Sequence, residues 1–145
     1  MKHQDYHRSI TASVTPQAAL EKISRVSQWW AKDFEGKSDE PNDVFTVRFK
    51  NGDWYTIKIV ELIPGKKILW DVIDAEQTWH EDRKEWAGTN IVFEISPLKN
   101  GSKVTLTHSG LTPEAECYDK CKMGWDYLMQ KSLSKFLTEG IGLPA

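Results

Sequence analysis

Hydrophobic positions along the chain recur with two different periods, and each change of period marks a new element. Across Tyr6 to Val14, Ile10, Ala12 and Val14 alternate with polar neighbours, the pattern of a half-buried strand. Thr15-Pro16 then supplies an N-cap and a first helical residue whose missing N–H is harmless there, and Ala18, Ala19, Leu20 and Ile23 predict a short helix. A second short helical piece runs through Val26, Trp29 and Trp30. The stretch 31–42, charged and carrying Gly36 and Pro41, reads as a loop.

From Asp43 the period is 2. Val44 to Phe49, Trp54 to Leu62, Ile68 to Ile73, Ile91 to Ile95 and Lys103 to His108 all alternate, and Asn51-Gly52, Pro64-Gly65 and Asn100-Gly101 punctuate three of the joins. These are hairpin signals, so the middle of the chain is expected to be an antiparallel meander. A three-residue Asn51-Gly52-Asp53 loop keeps apolar residues together, setting Phe49, Val47 and Phe45 opposite Tyr55, Ile57 and Ile59, with Gly52 in the left-handed position of a bulged turn. Through Pro64-Gly65 the same face continues with Ile68, Trp70 and Val72. Across Asn100-Gly101, Ile91, Phe93 and Ile95 group with Val104, Leu106 and His108.

The last segment steps by three and four. Tyr118, Cys121, Trp125 and Leu128, then Leu133, Phe136 and Leu137, line one face of a helix expected over 113–139, with Thr112 as N-cap, Pro113 as first residue and Gly140 closing it. A sheet with one apolar face and a long amphipathic helix bury those faces by pairing.

Composition adds further constraints. In 145 residues there are 7 Trp, 5 Phe and 4 Tyr, which suggests an aromatic core or a lined cavity. Lys and Arg number 19 against 21 Asp and Glu, for a formal charge of -2, so no nucleic-acid surface is expected. No apolar run reaches the roughly 20 residues of a membrane helix, and the opening stretch to Ser9 has no apolar signal core. Cys117 and Cys121 would project from successive helical turns, a poor geometry for a disulfide. That reading predicts a reducing, cytoplasmic setting.

Strand direction then gathers candidate chemistry. If each strand reverses the last, Trp54, Trp79, His80, Trp86, His108 and Tyr118 share one end of the domain, while Trp29 and Trp30 go to the other with the short helices. His108 falls on an inward face. It either orients a ligand, acts as acid or base, or is a core histidine satisfied by a nearby loop, and the last is favoured. Trp79 and Trp86 flank a charged stretch that forms either a hairpin tip or a mobile lid. Gly124 interrupts the helix at a cost of about 1 kcal/mol relative to Ala; close helix-to-sheet packing is the favoured reason, ligand clearance the other. Cys-x3-Cys with His108 lacks zinc spacing, so no metal or other cofactor is expected.

Several short motifs in order, Ile10-Thr11-Ala12-Ser13-Val14-Thr15-Pro16, Ile63-Pro64-Gly65 leading to Trp70, Trp86-Ala87-Gly88-Thr89, Thr107-His108-Ser109-Gly110-Leu111 and Gly124-Trp125, resemble those of the START-like (SRPBCC) superfamily. The likeness is greatest to its bacterial branch similar to the C-terminal domain of the activator of the ninety-kilodalton heat-shock protein's ATPase. The resemblance covers Ile10 to Pro144. It implies an α+β helix-grip fold, like that of birch-pollen allergens. A curved antiparallel sheet of six or seven strands would surround a long C-terminal helix, with two short helices after the first strand, all in a single domain over 1–145. It also implies a cavity for a small apolar or amphipathic molecule between sheet and helix. Trp54, Trp70, Trp79, Trp86, His108, Tyr118, Cys121, Trp125 and Leu128 are the candidate ligand-binding residues. A chaperone partner and an enzyme using His108 are the alternatives.

Overall fold

In a computed structural model of the chain, residues 5–79 and 81–145 are described. His80, expected among the clustered aromatics, lies outside them. The first strand, β1 (Tyr6–Ala12), leads into α1 (Pro16–Ile23) and α2 (Val26–Trp29), followed by β2 (Asp33–Gly36), β3 (Val44–Arg48), β4 (Trp54–Ile63), β5 (Lys67–Glu76), β6 (Asn90–Leu98) and β7 (Gly101–Ser109). The seven strands form one antiparallel sheet in the order β1-β7-β6-β5-β4-β3-β2. Helices α3 (Tyr118–Tyr127) and α4 (Ser134–Glu139) are joined without a break by a π segment, Leu128–Leu133, giving one helical rod over 118–139. This is the expected helix-grip arrangement.

Local chemistry accounts for most of these elements. The Thr15 hydroxyl accepts the Ala18 N–H at 3.1 Å, with Pro16 at the first position of α1. Gly140, at φ 79°, ends the rod in the left-handed conformation that Gly adopts most cheaply. Ile91, Phe93 and Ile95 pair with His108, Leu106 and Val104, the expected register.

The hairpin at Asn51-Gly52 differs by one residue in where its loop begins. Phe45 pairs with Ile57 and Val47 with Tyr55, whereas the sequence reading set them opposite Ile59 and Ile57. The loop does hold three residues, but they are Lys50, Asn51 and Gly52. Phe49 N donates to Asp53 O at 2.9 Å, Gly52 N donates to Phe49 O at 3.0 Å, and Gly52 takes φ 98°. Moving a three-residue loop by one position shifts the pairing by two, which leaves every side chain on its expected face. Hydrophobic pattern alone does not separate these registers.

Three further departures have physical causes. Part of the expected loop 31–42 is β2, a four-residue edge strand carrying a single apolar residue, Phe34, and held by an Arg48–Glu35 ion pair of 2.8 Å. Edge strands so short and charged leave no alternation to read. Where β4 meets β5 the register shifts twice, leaving Val60 and Ile73 as the extra residues. They are 44% and 50% exposed, the outward kinks of bulges that bend the sheet. The helix, finally, starts at Tyr118 and not at Pro113.

Beneath the rod the core is aromatic. Trp29, Trp70 and Trp125 are buried, and Trp30 stacks on Trp70 with 5.9 Å between centroids. Buried residues Cys121, Trp125, Met129, Leu133 and Phe136–Leu137 follow a spacing close to four. On an ideal α-helix each step of four over-rotates by about 40°. The wider π turn absorbs that drift and keeps Met129 and Leu133 on the sheet.

Candidate functional site: an aromatic cleft beside the long helix

An open cleft of about 660 Å3 lies where the β3–β4 turn, the loop 77–89, α3 and the C-terminal tail converge. The turn contributes Phe49, Asn51 and Asp53, the loop Gln77, Trp79 and Trp86, and the helix Lys120, Cys121, Gly124, Trp125 and Tyr127. Leu128, Leu143 and Pro144 form the remaining side, with Trp30 and Tyr55 beneath. The tail is held by an N–H of Ala145 on Trp30 O and an N–H of Lys32 on Ala145 O, both 2.9 Å. Four rings close a circuit: Trp30–Tyr55 at 6.1 Å, Tyr55–Trp86 at 4.3 Å, Trp86–Trp125 at 5.8 Å and Trp125–Trp30 at 5.4 Å. Such contacts are the usual offset and tilted arrangements of packed rings.

Carboxylates fix the loop that supplies Trp79 and Trp86. Asp53, buried, accepts from Thr78 N at 2.8 Å, Thr78 Oγ1 at 3.1 Å and Trp79 Nε1 at 2.7 Å, so it pins the start of the loop to the turn. Glu85 accepts from the backbone N–H groups of Glu116 and Cys117 at 2.7 and 2.9 Å, and Glu116 in return accepts from those of Glu81 and Asp82 at 2.8 and 3.1 Å. These reciprocal bonds explain the late helix start. Residues 112–117 turn instead, with Ala115 N on Thr112 O and Tyr118 N on Ala115 O, because tertiary partners outweigh the Thr112-Pro113 start signal. No strand occurs among the described residues of 77–89, so the loop form of the Trp79–Trp86 segment holds and the hairpin form does not.

His108 is completely buried behind the cleft wall. Its Nδ1 accepts the Trp125 indole N–H at 3.1 Å, and its Nε2 lies 2.8 Å from Thr89 Oγ1. The Thr89 hydroxyl spends its proton on Trp86 O at 2.6 Å, so it can only accept from the ring, which fixes the neutral Nε2–H tautomer. Burial pushes the imidazole from its usual 6.5 down to about 3. Both nitrogens are occupied, leaving neither for a substrate. His108 therefore orders two walls, holding Trp125 on the helix and Thr89 beside Trp86. Burial likewise raises the Tyr55 phenol, keeping it protonated.

The nine candidate residues separate by position. Trp79, Trp86, Cys121, Trp125 and Leu128 line the cleft. Trp70 and His108 are fully buried behind it. Trp54 sits out of phase with inward Tyr55, on the outer face of the sheet with Lys84 Nζ 4.8 Å from its ring centre. Tyr118, at the start of α3, packs on the core margin outside the lining. Trp30, expected at the opposite end, stands in the ring circuit because α2 and the tail fold back over the sheet. Tyr55 was legible as an inward residue of β4, whereas Gln77, Asp53 and Lys120 carry no periodic signal.

Two of the sequence readings are overturned. Cys117 and Cys121 are joined as a disulfide. Cys117 stands outside the helix, at its N-cap with non-helical backbone, and the two Cα atoms lie 5.6 Å apart, within bridging range. The ground on which a reducing compartment was expected is thereby removed. Gly124 is not a packing glycine: a Cβ there would meet nothing within 4 Å. It borders the cleft.

Sheet, rod and cleft together define a helix-grip domain of the START-like superfamily. A family profile described as "Activator of Hsp90 ATPase homolog 1-like protein" matches residues 18–138, and the chain belongs to that family. Among solved structures it is similar to the Aha1 dimer of Colwellia psychrerythraea, at 23% identity over 96% of this chain and 99% of that one, TM-score 0.77. It is also similar to protein MLL2253 of Mesorhizobium loti, at 15% identity over 92% and 96% of the chains, TM-score 0.73. Protein SSP2350 of Staphylococcus saprophyticus gives 16%, 98% and 98%, TM-score 0.71. At such identities the likeness speaks for the fold. No curated protein matches the chain. No helix among the described residues is long and apolar enough to cross a membrane.

Proposed function

We propose that the chain binds a small, largely apolar molecule, and that the binding site is the cleft between the loop 77–89 and α3. The observation that carries this reading is the open volume of about 660 Å3 walled by aromatic side chains, within the range of small-molecule sites. The superfamily resemblance implied a cavity deep between sheet and helix. That space holds Trp29, Trp70 and Trp125, so the proposed site is the more superficial cleft. Native mass spectrometry of the intact chain against a panel of apolar metabolites tests it: a one-to-one complex that quenches tryptophan emission is expected, and no complex with any compound would overturn it.

Activation of a chaperone ATPase is a second reading, favoured only by membership of the family named for that activity. It predicts that the purified chain raises the turnover of an Hsp90-type ATPase, and an unchanged rate excludes it.

A further inference from the structure

Each half of the Cys117–Cys121 disulfide touches the loop 77–89, and the two halves touch it at opposite ends. The Cys117 N–H donates to Glu85 Oε1 at 2.9 Å, and Cys121 Sγ accepts from Gln77 Nε2 at 3.4 Å. The same Gln77 nitrogen donates to the Tyr55 hydroxyl at 3.0 Å. Next to Cys117, the Glu116 N–H donates to Glu85 Oε2, and the Glu116 carboxylate accepts the N–H groups of Glu81 and Asp82. The start of α3 and the loop are thus tied together through the bridge and its neighbour.

Residues 112–117 also carry the signal for a different local structure. Thr112 as N-cap and Pro113 as first residue would begin a helix continuous with α3. There the N–H groups of Glu116 and Cys117 would bond to the carbonyls of Thr112 and Pro113, four residues back, and be lost to Glu85. The bridge forbids this form. On an α-helix the Cβ atoms of residues four apart lie about 5–6 Å from each other, whereas a disulfide needs about 3.5–4.5 Å. The oxidised pair therefore holds Cys117 outside the helix, with turn bonds from Ala115 N to Thr112 O and from Tyr118 N to Ala115 O. Two thiols impose no such limit. We infer that Cys117 and Cys121 form a reversible redox site whose substrate is a dithiol reductant, and whose state selects where the helix starts: at Tyr118 with the loop pinned, or at Pro113 with the loop released. In the exchange, one reductant thiolate bonds to the sulfur of Cys121, which borders the cleft, and Cys117, 1% exposed, leaves as a thiolate. The second reductant thiolate displaces Cys121 and closes the reductant's own disulfide. Two electrons pass to the protein, and the two thiol protons end on its cysteines. Thr78 and Trp79 remain on Asp53, so the part released is 81–85. None of this depends on the cleft holding a ligand.

NMR spectroscopy of the full chain with and without dithiothreitol reads both consequences. On reduction the Cα shifts of residues 113–117 are expected to move to helical values. The amide N–H groups of Glu81 and Asp82 should exchange with solvent about tenfold faster or more, the loss of one hydrogen bond to a charged acceptor. Reoxidation restores both. The Cys117→Ser/Cys121→Ser double variant should show the reduced pattern without reductant and no response to it, and the reduced parent carries the test alone if that variant fails to fold. Shifts unchanged on reduction overturn the switch. Helical shifts with unmoved exchange at Glu81 and Asp82 overturn its hold on the loop. Unfolding of the whole chain on reduction overturns it as well, because the bridge would then be a staple for one fold and not a selector between two.

Discussion

Gly124→Ala is expected to make the protein more stable, which is unusual for a substitution beside a binding site. The residue lies inside α3, one position before buried Trp125, and faces open space, where an added Cβ meets nothing within 4 Å. Without steric loss the helix-propensity difference should be expressed nearly in full, about 0.8–1 kcal/mol in favour of Ala. Unfolding entropy for 145 residues is about 0.3 kcal/mol/K, so Tm should rise by ~3 °C. In urea the midpoint should move up by about 0.3–1 M at unchanged m, given slopes of about 1–3 kcal/mol/M. A fall in midpoint would show that the helix packs closely there after all. Gly124→Leu extends the reasoning, because Leu is also a good helix former but its side chain enters the cleft. Stability at or above the parent together with loss of ligand binding is the expected result, and retained binding would refute the placement of the site.

Other perturbations address the supports of the cleft. The His108 imidazole binds its proton more weakly in the folded chain, at about 3, than in the unfolded chain near 6.5. Between those values the unfolded chain carries more protons, so stability falls as pH is lowered from 6.5, by about 1.4 kcal/mol per unit from this group. Urea unfolding at pH 7, 5.5 and 4.5 should show a shallower pH slope for His108→Asn than for the parent, and parallel slopes would contradict the assignment. Asp53→Ala strips acceptors from Thr78 and Trp79 and should cost about 2–3 kcal/mol; a red-shifted tryptophan emission in the folded variant would report release of Trp79. Iodoacetamide should label neither Cys117 nor Cys121 before reduction and both after it, with about 2 kcal/mol of stability lost on reduction of so short a loop. Labelling without reductant would return the pair to two thiols and restore the case for a reducing compartment.

Where structure followed from repeated pattern, the sequence was readable to the residue. The β6–β7 register came from alternation on both sides of Asn100-Gly101, and α1 came from Thr15-Pro16. Pattern fails where two solutions share a parity, as at Asn51-Gly52, where pairings two residues apart expose the same faces. It fails also where a distant side chain decides, as at 112–117. No local feature there reveals that Glu85, 31 residues before Glu116, binds the backbone and delays the helix. Cys117 was misjudged for the same reason, since its bridge to Cys121 depends on being outside the helix.

The division between aromatic core and open cleft follows from that asymmetry. Seven Trp residues permit either outcome by composition, and periodicity places Trp70 and Trp125 inward without saying whether space remains between them. The space is closed by Trp29 and Trp30, which a short helix brings over the sheet with little periodic signal. What stays open is bounded by a turn, a carboxylate-pinned loop, a glycine on the rod and a chain tail, each positioned by long-range bonds. A change at Asp53, Glu85 or Gly124 should therefore alter the cleft with little effect on the sheet's register. A change at Trp70 or Phe93 should act through the whole fold, and at 0% exposure neither can discriminate between ligands directly. Selectivity among occupants is accordingly a property of the non-periodic segments, which can diverge while the helix-grip core is retained.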